Sequence, residues 1–287
     1  MSERFSYWVM MTVKNGEKTI EDSINSVLNQ SVKPTLICII DDGSVDSTSK
    51  ILDKLQKENE PILHIISFPD RGYDIRRIVH NWNEGCNYVK SLNVEFDYLV
   101  IIADDIILPS EYVEKLCLEM KKDSKLVIVS GSRGLKSSDD ISLPEGAGRI
   151  IDMKFFSTIG LRHPPYYGYE PWILFKALQL GYKIKKFNNI KYEHERTFGI
   201  KHNFVEYGVA MRCLGYHPIF VMARVLKNIF SNKSGISKRA SVQMIFDYLN
   251  KKKWTDDPYF KYFEPDLRHF VKTFQKNRLY SKLKINH

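Results

Sequence analysis

Two short apolar stretches of this chain each end in a pair of adjacent aspartates. The first pair is Asp41 and Asp42, and the second is Asp104 and Asp105. Short apolar runs bounded by turn residues predict buried parallel strands, and open α/β sheets bind ligands beyond the carboxyl ends of such strands. Paired carboxylates at one sheet edge suit a hydrated metal ion, or the ribose and base of a nucleotide.

The first acidic turn also has a purely structural interpretation. Asp42, Ser44 and Asp46 precede a helix predicted to begin near Ser47, and their oxygens could cap its free backbone N–H groups. Taken alone, this turn does not distinguish helix capping from ligand binding.

The elements that must position these acids alternate regularly along the chain. Strands are predicted near residues 7–13, 35–41, 62–67, 97–103, 125–130 and 182–188. Helices are predicted near residues 18–30, 47–58, 74–91, 110–122, 170–181 and 203–214. Such alternation predicts a mainly parallel sheet with right-handed crossovers. The stretch 131–148, rich in Gly, Ser and Asp, predicts a long surface loop near the acidic edge.

Several short motifs stand in a defined order between about residues 5 and 200. They are Asn15-Gly16-Glu17, Leu28-Asn29-Gln30, the turn 41–44, Asn83-Glu84-Gly85, Ala103-Asp104-Asp105, residues 146–149, residues 168–172, Leu180-Gly181-Tyr182 and Tyr192-Glu193-His194. In this order and spacing they resemble the family 2 glycosyltransferases. The resemblance implies an α/β fold of the GT-A type, a Rossmann-like mainly parallel sheet flanked by helices.

The resemblance implies inverting transfer of a sugar from a nucleotide diphosphate, by default a UDP-sugar, to a hydroxyl of a glycan or lipid-linked acceptor. The family positions that bind the nucleotide match Val13, Asn15, Asp41, Asp42 and Asp104. Asp41 or Asp42 would accept a hydrogen bond from an N–H of the base. Asp104 would contact the ribose or a ligand of the metal ion.

A metal site is implied at Asp105, which matches the last acid of the family's Asp-x-Asp motif. Ala103 replaces the first acid of that motif. Hard oxygen ligands and a diphosphate leaving group suit Mn²⁺ or Mg²⁺. His194 matches a histidine that some members place on the metal or the diphosphate, although an isolated histidine is often only a hydrogen-bonded structural group.

The implied catalytic base is Glu170, which matches the Asp of a Glu-Asp pair at a helix start, while Tyr169 replaces the Glu. A glutamate with an ordinary pKa of about 4.3 is ionised at neutral pH and can take the acceptor proton. An acid before Pro171 also stabilises a helix start, and both roles can coexist. Asp140 and Glu145 in the long loop are the alternative bases.

Length and composition suit one α/β domain with an appendage, and together with the resemblance they imply a catalytic domain over residues 1–215 and a basic helical extension over residues 216–287. The four cysteines are far apart and show neither metal-ligand spacing nor a disulfide framework, which favours the reducing cytoplasm. We expect no signal peptide. The longest uncharged stretch, Cys213 to Ala223, is too short to span a membrane.

Positive charge is concentrated near the C-terminus. Residues 221–287 hold 15 Lys or Arg against 5 Asp or Glu, whereas residues 1–220 hold 28 and 29. This basic extension could contact anionic membrane, which would place the protein at the inner face of the cell membrane, or it could be an ordinary solvated surface. Nucleic acid is not expected as a partner, because the basic residues lie on predicted helices without an exposed aromatic sheet.

Two other functional classes fit parts of the pattern. A sugar nucleotidyltransferase would need a Gly-rich phosphate loop, and Lys14-Asn15-Gly16 is a poor one. A non-catalytic glycan- or nucleotide-binding relative is compatible with Ala103 and Tyr169, and hydrolysis of a nucleotide sugar would argue against it.

Overall fold

The structure is a computed structural model that describes residues 5–72, 74–133, 143–194, 205–230 and 237–284. Its strands are β1 (Tyr7–Val13), β2 (Leu36–Asp41), β3 (Leu63–Ser67), β4 (Tyr98–Ala103), β5 (Ile106–Ile107), β6 (Leu126–Ser132), β7 (Arg149–Asp152), β8 (Lys183–Lys191) and β9 (Glu193–His194). Its α-helices are α1 (Ile20–Leu28), α2 (Thr48–Glu58), α3 (Ile78–Ser91), α4 (Tyr112–Lys121), α5 (Met153–Thr158), α6 (Tyr169–Gln179), α7 (Val205–Cys213), α8 (Pro218–Phe230), α9 (Lys238–Leu249) and α10 (Pro265–Lys284).

Seven strands form one mixed sheet in the order β3-β2-β1-β4-β7-β6-β8. Strands β3, β2, β1 and β4 run parallel, and β8 runs parallel to β6, whereas β7 is antiparallel to both of its neighbours. The predicted mainly parallel sheet flanked by helices is therefore confirmed. The four-residue strand β7 was not predicted, because it directly follows the stretch 131–148 that reads as loop.

The central strands form because their side chains are apolar on both faces. Strand β2 is buried along its whole length, as a parallel strand covered by helices on both sides must be. Helix α1 packs Ile20, Ile24 and Val27, which recur at helical spacing, into the core.

The described part of the chain belongs to two compact units. Unit 1 comprises Met1–His163 and Gly181–Arg196 and contains both sheets. Unit 2 comprises Pro164–Leu180 and Thr197–His287 and contains helices α6 to α10. The boundary predicted at residue 215 lies inside unit 2, so the structural division differs from the predicted one; which part carries which function stays a prediction.

Unit 2 is a helical assembly in which α7 and α9 approach each other closely. A Cβ atom built on Gly208 of α7 would lie 2.3 Å from the carbonyl oxygen of Met244 in α9. Because no side chain fits in that gap, glycine at position 208 allows the two helices to pack. No helix among the described residues combines the length and apolarity needed to cross a membrane.

Candidate active site

The two acidic pairs lie at the same edge of the sheet in unit 1. Strand β1 lies between β2 and β4, with Val13 opposite Asp41 and Thr12 opposite Ala103. The chain fills one side of β1 with β2 and β3 before it crosses to β4, so this is a point where the strand order reverses. Crevices for ligands form at such points, beyond the carboxyl ends of the strands.

The turns after β1 and β2 are tied together by hydrogen bonds. The backbone N–H of Asn15 donates to Oγ of Ser44 at 2.9 Å, and its side-chain Oδ1 accepts from the N–H of Val45 at 2.9 Å. Asn15 has a φ of 55°, in the left-handed region that asparagine tolerates better than most residues. The Asn15-Gly16-Glu17 motif thus fixes the position of the acidic turn relative to β1.

Asp41 is committed to contacts within its own turn. Its Oδ1 accepts from the N–H and the hydroxyl of Ser44 at 2.9 and 2.7 Å, and its Oδ2 accepts from the hydroxyl of Ser49 at 2.9 Å. These bonds link the end of β2 to the first turn of α2. They give Asp41 a structural role beside the nucleotide contact predicted for it.

The predicted capping role is seen at Asp46, whose Oδ1 accepts from the backbone N–H of Thr48 at 3.0 Å. Burial raises the pKa of Asp46, but hydrogen bonds from Thr48 and from the N–H of Glu17 outweigh it and hold that pKa below its ordinary value. Asp46 is therefore a stable acceptor at the start of α2.

Asp42 makes ion pairs instead of capping the helix. Nε and Nη2 of Arg77 donate to Oδ2 of Asp42 at 3.1 and 2.9 Å, and Nη2 of Arg71 lies 3.3 Å from Oδ1. The neighbouring Arg76 instead donates to Asp74 at 2.8 Å. Two guanidinium groups thus stand beside the first acidic turn. Arg76 and Arg77 are adjacent in the sequence, yet only Arg77 pairs with Asp42.

The second acidic pair is brought next to His194 by a small antiparallel ribbon. Strand β5 follows Asp105 directly and pairs with β9, so that Ile106 lies opposite His194. Oδ1 of Asp105 is 3.7 Å from Nε2 of His194. Asp105 is only 6% exposed, whereas Asp104 is half-buried in the turn between β4 and β5.

The pair Asp105 and His194 suits a divalent cation chemically, because a carboxylate oxygen and an imidazole nitrogen both bind Mn²⁺ well. The described residues contain no group of three or more His, Cys, Asp or Glu arranged around one point. A cation held here would therefore take its remaining ligands from water and from the oxygens of a bound diphosphate, as Mg²⁺ and Mn²⁺ at phosphate sites commonly do.

Glu170 lies in unit 2, in the first turn of α6, and is half-buried. The helix follows Gly168, whose φ of 94° favours glycine, and a Cβ there would lie 2.8 Å from Cδ1 of Leu214. The carbonyl of Gly168 accepts the N–H of Trp172 at 2.9 Å. The predicted helix start at this acid is confirmed, while its catalytic role stays a prediction.

The alternative base Glu145 is held in a network of polar side chains. Its carboxylate accepts from Nε of Arg133 at 3.1 Å and from the hydroxyl of Tyr192 at 2.5 Å, and Lys186 lies 3.6 Å away. Burial and the Glu145 charge raise the pKa of Tyr192, which keeps its hydroxyl a donor. Glu145 therefore fixes the end of the long loop. The other predicted alternative, Asp140, lies outside the described residues.

Three further basic residues of the sequence, Arg196, His202 and Arg212, are of a type that could add positive charge around a diphosphate. The first two lie outside the described residues. Arg212 belongs to unit 2, where its guanidinium donates to the carbonyl of Leu249 at 3.0 Å and to the hydroxyl of Tyr262 at 3.1 Å. It therefore joins helices of unit 2.

Sequence reasoning missed His163, a fully buried residue at the end of the first segment of unit 1. Its ring centroid lies 5.1 Å from that of Trp82 and 5.5 Å from that of Phe156. The side chain of Asn83 binds its backbone N–H and C=O, each at 2.8 Å. Burial, and next the charge of Arg149, lower the pKa of His163 to about 3. The Asn83-Glu84-Gly85 motif was the available sequence signal for this position, because the side chain of Asn83 binds the backbone of His163.

A groove of about 870 Å³ also lies in unit 1, along α4 and β8. Its lining includes Lys121, Lys185 and Phe187 but none of the acidic residues at the strand ends. It is therefore separate from the candidate site.

Comparison with known proteins adds two kinds of similarity. The sequence model described as Glycosyl transferase family 2 matches residues 8–179. The poly-beta-1,6-N-acetyl-D-glucosamine synthase of Staphylococcus aureus strain COL is 26% identical over 151 residues, which are 53% of this chain and 33% of that protein. The protein of the same name from Staphylococcus epidermidis is 24% identical over 151 residues, again 53% and 33% of the two chains. The match thus spans about a third of these relatives' length.

Solved structures share the fold at low sequence identity. TarS 1-349 of S. aureus is 12% identical with a TM-score of 0.54, over 88% of this chain and 72% of that one. The mannosyltransferase PcManGT of Pyrobaculum calidifontis, in complex with GDP-Man and Mn²⁺, is 14% identical with a TM-score of 0.58, over 86% and 71%. A TarS structure with UDP-GlcNAc has a TM-score of 0.55 at 13% identity, over 85% and 72%. These likenesses confirm the GT-A type of fold.

Proposed function

The chain belongs to glycosyl transferase family 2, and on that premise we propose that it transfers a sugar from a nucleotide diphosphate donor to an acceptor hydroxyl with inversion at the anomeric carbon. The proposal depends mainly on one arrangement in unit 1. Strand β1 lies between β2 and β4. Strand β2 ends in Asp41, and β4 is followed by Asp105, which is buried beside His194. The acids thus flank the crevice where a nucleotide diphosphate would lie.

We propose that the donor nucleotide occupies the end of β1, in contact with Val13, Asn15, Asp41, Asp42 and Asp104. Asn15 donates a hydrogen bond to Ser44 and accepts one from Val45, and these bonds fix the turn that would hold the base. A UDP-sugar is the first donor to test, because a TarS structure contains UDP-GlcNAc; PcManGT with GDP-Man makes GDP-sugars the second.

Asp105 and His194 are the residues that would hold Mn²⁺ or Mg²⁺. When bound, the cation would stabilise the negative charge on the leaving diphosphate. The role of the protein is to hold the carboxylate and the imidazole 3.7 Å apart through the pairing of β5 with β9. The PcManGT structure, which contains Mn²⁺, supports testing that ion first.

Glu170 is proposed as the base that removes the acceptor proton as the new C–O bond forms. It lies in the first turn of α6 and is half-buried. The proposed acceptor is a glycan or a lipid-linked sugar. The net positive charge of residues 221–287 supports a location at the anionic inner face of a membrane, and four free, buried cysteines are compatible with the cytoplasm.

A thermal-shift screen of UDP-, GDP- and dTDP-sugars with and without Mn²⁺ would test the proposal. A donor at 100 times its dissociation constant should stabilise the protein by about 2.7 kcal/mol. Slow hydrolysis of the stabilising donor would then demonstrate catalysis. Binding without any hydrolysis or transfer would favour a non-catalytic relative, and stabilisation by a nucleoside triphosphate with a sugar phosphate would favour a nucleotidyltransferase.

A further inference from the structure

Unit 2 contains a basic pocket far along the chain from the acids of the candidate site. The pocket has a volume of about 410 Å³ and lies where α7 ends, α8 begins, α9 ends and α10 begins. From α10 it is lined by Pro265, Arg268, His269 and Lys272. This spacing places the four residues on one face of the helix.

The charge of this pocket favours an anion. Arg212 and the three residues Arg268, His269 and Lys272 supply positive or protonatable groups, and none of the described lining residues is acidic. Tyr216, Tyr248 and Tyr262 supply the aromatic wall.

Arg268 is held ready to bind such an anion. Its guanidinium carbon lies 4.4 Å from the ring centroid of Tyr262. Its Nε is buried and has no hydrogen-bond acceptor among the described residues. A buried N–H donor without an acceptor costs free energy, and an anionic oxygen in the pocket would remove that cost.

Exposed apolar side chains directly follow two of the lining residues of this pocket in the sequence. Pro218 lines it, and the next residue, Ile219, is 62% exposed; Tyr248 lines it, and the next residue, Leu249, is 63% exposed. From these two points exposed apolar residues continue along both helices: Met222, Leu226 and Phe230 on α8, and Phe246 and Val242 on α9.

The spacing of these residues gives each helix one exposed apolar stripe. Steps of three and four residues from Ile219 to Phe230 keep the side chains on one side of α8, while Val221 and Val225 are buried on another. Phe230 is 81% exposed. Helices α8 and α9 pack against each other, so the two stripes belong to neighbouring helices. Apolar stripes beside basic groups are typical of helices that lie in a membrane interface.

We propose that unit 2 binds anionic phospholipid at a bilayer surface. The headgroup phosphate would accept hydrogen bonds from Arg268 and Lys272, and the stripes that start at Ile219 and Leu249 would enter the lipid between the headgroups and the acyl chains. A phosphate-sized soluble ligand would use the basic pocket and leave the stripes in water. The proposal gives the excess charge of residues 221–287 a defined binding site.

Cosedimentation of the full chain with vesicles would test this without donor or acceptor, so its outcome is independent of glycosyl transfer. We expect binding to phosphatidylglycerol/phosphatidylcholine vesicles and little binding to phosphatidylcholine alone. Lys272→Glu should weaken the binding about tenfold or more, because it reverses one charge at the headgroup. The matched control Lys57→Glu, on an exposed residue of α2 in unit 1, should bind like the unchanged protein.

The apolar stripe makes a separate contribution that salt does not screen. The variant Ile219→Ser/Leu226→Ser should lose the part of the binding that persists at high salt, whereas Val94→Ser, an equally exposed apolar position in unit 1, should retain it. Circular dichroism would verify that each variant is folded.

Three results would overturn the proposal. The first is equal sedimentation with both vesicle types or with neither. The second is binding of inorganic phosphate, seen by calorimetry, in a protein that does not bind vesicles, which would assign the pocket to a soluble phosphate ligand. The third is a self-association that Ile219→Ser/Leu226→Ser abolishes while vesicle binding is unchanged, which would assign the stripes to a second copy of this chain.

Discussion

Nε2 of His194 lies 3.7 Å from Oδ1 of Asp105, although 88 residues separate them in the sequence. The contact arises because Ile106, next to Asp105, pairs with His194 in the β5–β9 ribbon. A two-stranded ribbon of two residues each is a weak element by itself. Its position therefore depends on the sheet from which both strands emerge, and the paired carboxylate and imidazole depend on the fold of unit 1.

Asp105→Asn should abolish the Mn²⁺-dependent part of donor binding while the protein stays folded. The amide keeps the shape of the carboxylate but loses the charge that attracts the cation. Calorimetric titration of the donor with and without Mn²⁺ would measure this. Asp53→Asn, on an exposed position of α2, is the matched control. Retention of full metal-dependent binding in Asp105→Asn would show that the cation binds elsewhere.

Glu170→Gln should lower turnover by about 10²-fold or more while donor affinity changes by only a few-fold. The glutamine keeps the length of the side chain but cannot take a proton from the acceptor. Steady-state kinetics with the donor found in the screen would measure kcat and KM separately. Glu95→Gln, on an exposed residue of unit 1, should leave both values unchanged. Normal turnover in Glu170→Gln would place the base at another residue.

Arg77→Ala should destabilise unit 1 more than Arg76→Ala does. The side chains of Arg77 and Asp42 are only 12% and 10% exposed, so removing the arginine leaves a nearly buried carboxylate with a weaker partner in Arg71. We expect a loss of about 1–3 kcal/mol in urea unfolding, against less than about 1 kcal/mol for the more exposed pair of Arg76 and Asp74. Equal losses would mean that the Asp42 ion pair contributes no special stability.

His163 should make unit 1 less stable at acidic pH. Burial lowers its folded-state pKa from 6.5 to about 3, so the unfolded chain binds a proton that the folded chain excludes. Its contribution to stability is therefore complete above about pH 6.5 and falls as the pH drops towards 3, by up to about 1.4 kcal/mol per pH unit.

His163→Phe is the variant that tests this effect. Neither ring nitrogen of His163 has a hydrogen-bond partner in the described structure, so phenylalanine can take its place against Trp82 and Phe156 without losing one. Urea unfolding between pH 4 and 7 should show a shallower pH dependence for His163→Phe than for the unchanged protein. His80→Phe, on an exposed residue of α3, should keep the original slope. An unchanged slope in His163→Phe would mean that another group titrates.

Much of the fold could be predicted because its signals are local. Strands β1, β2 and β4 are continuous apolar runs that end in turn residues, and α1 carries its apolar side chains at helical spacing, so each element is specified within a few residues. The acidic pairs follow two of these strands directly. Parallel neighbours of β1 must place them at one edge, which is why their common edge was predictable from the sequence.

The remaining features depend on contacts between distant residues. Strand β7 is four residues long and is defined by its antiparallel neighbours β4 and β6, not by its own composition.

The tertiary structure also decided which side chains of similar sequence context pair or stay exposed. Arg76 and Arg77 are adjacent and chemically identical. The geometry of the turn before α3 decides that Arg77 pairs with Asp42 and Arg76 with Asp74. Ile219 and Val221 are similarly apolar, yet one is exposed and the other is buried. The sequence by itself determined the longer strands and helices and the edge where the acids lie, because those follow from local periodicity. Ion-pair partners and exposed stripes were decided by tertiary packing, because burial depends on which elements meet.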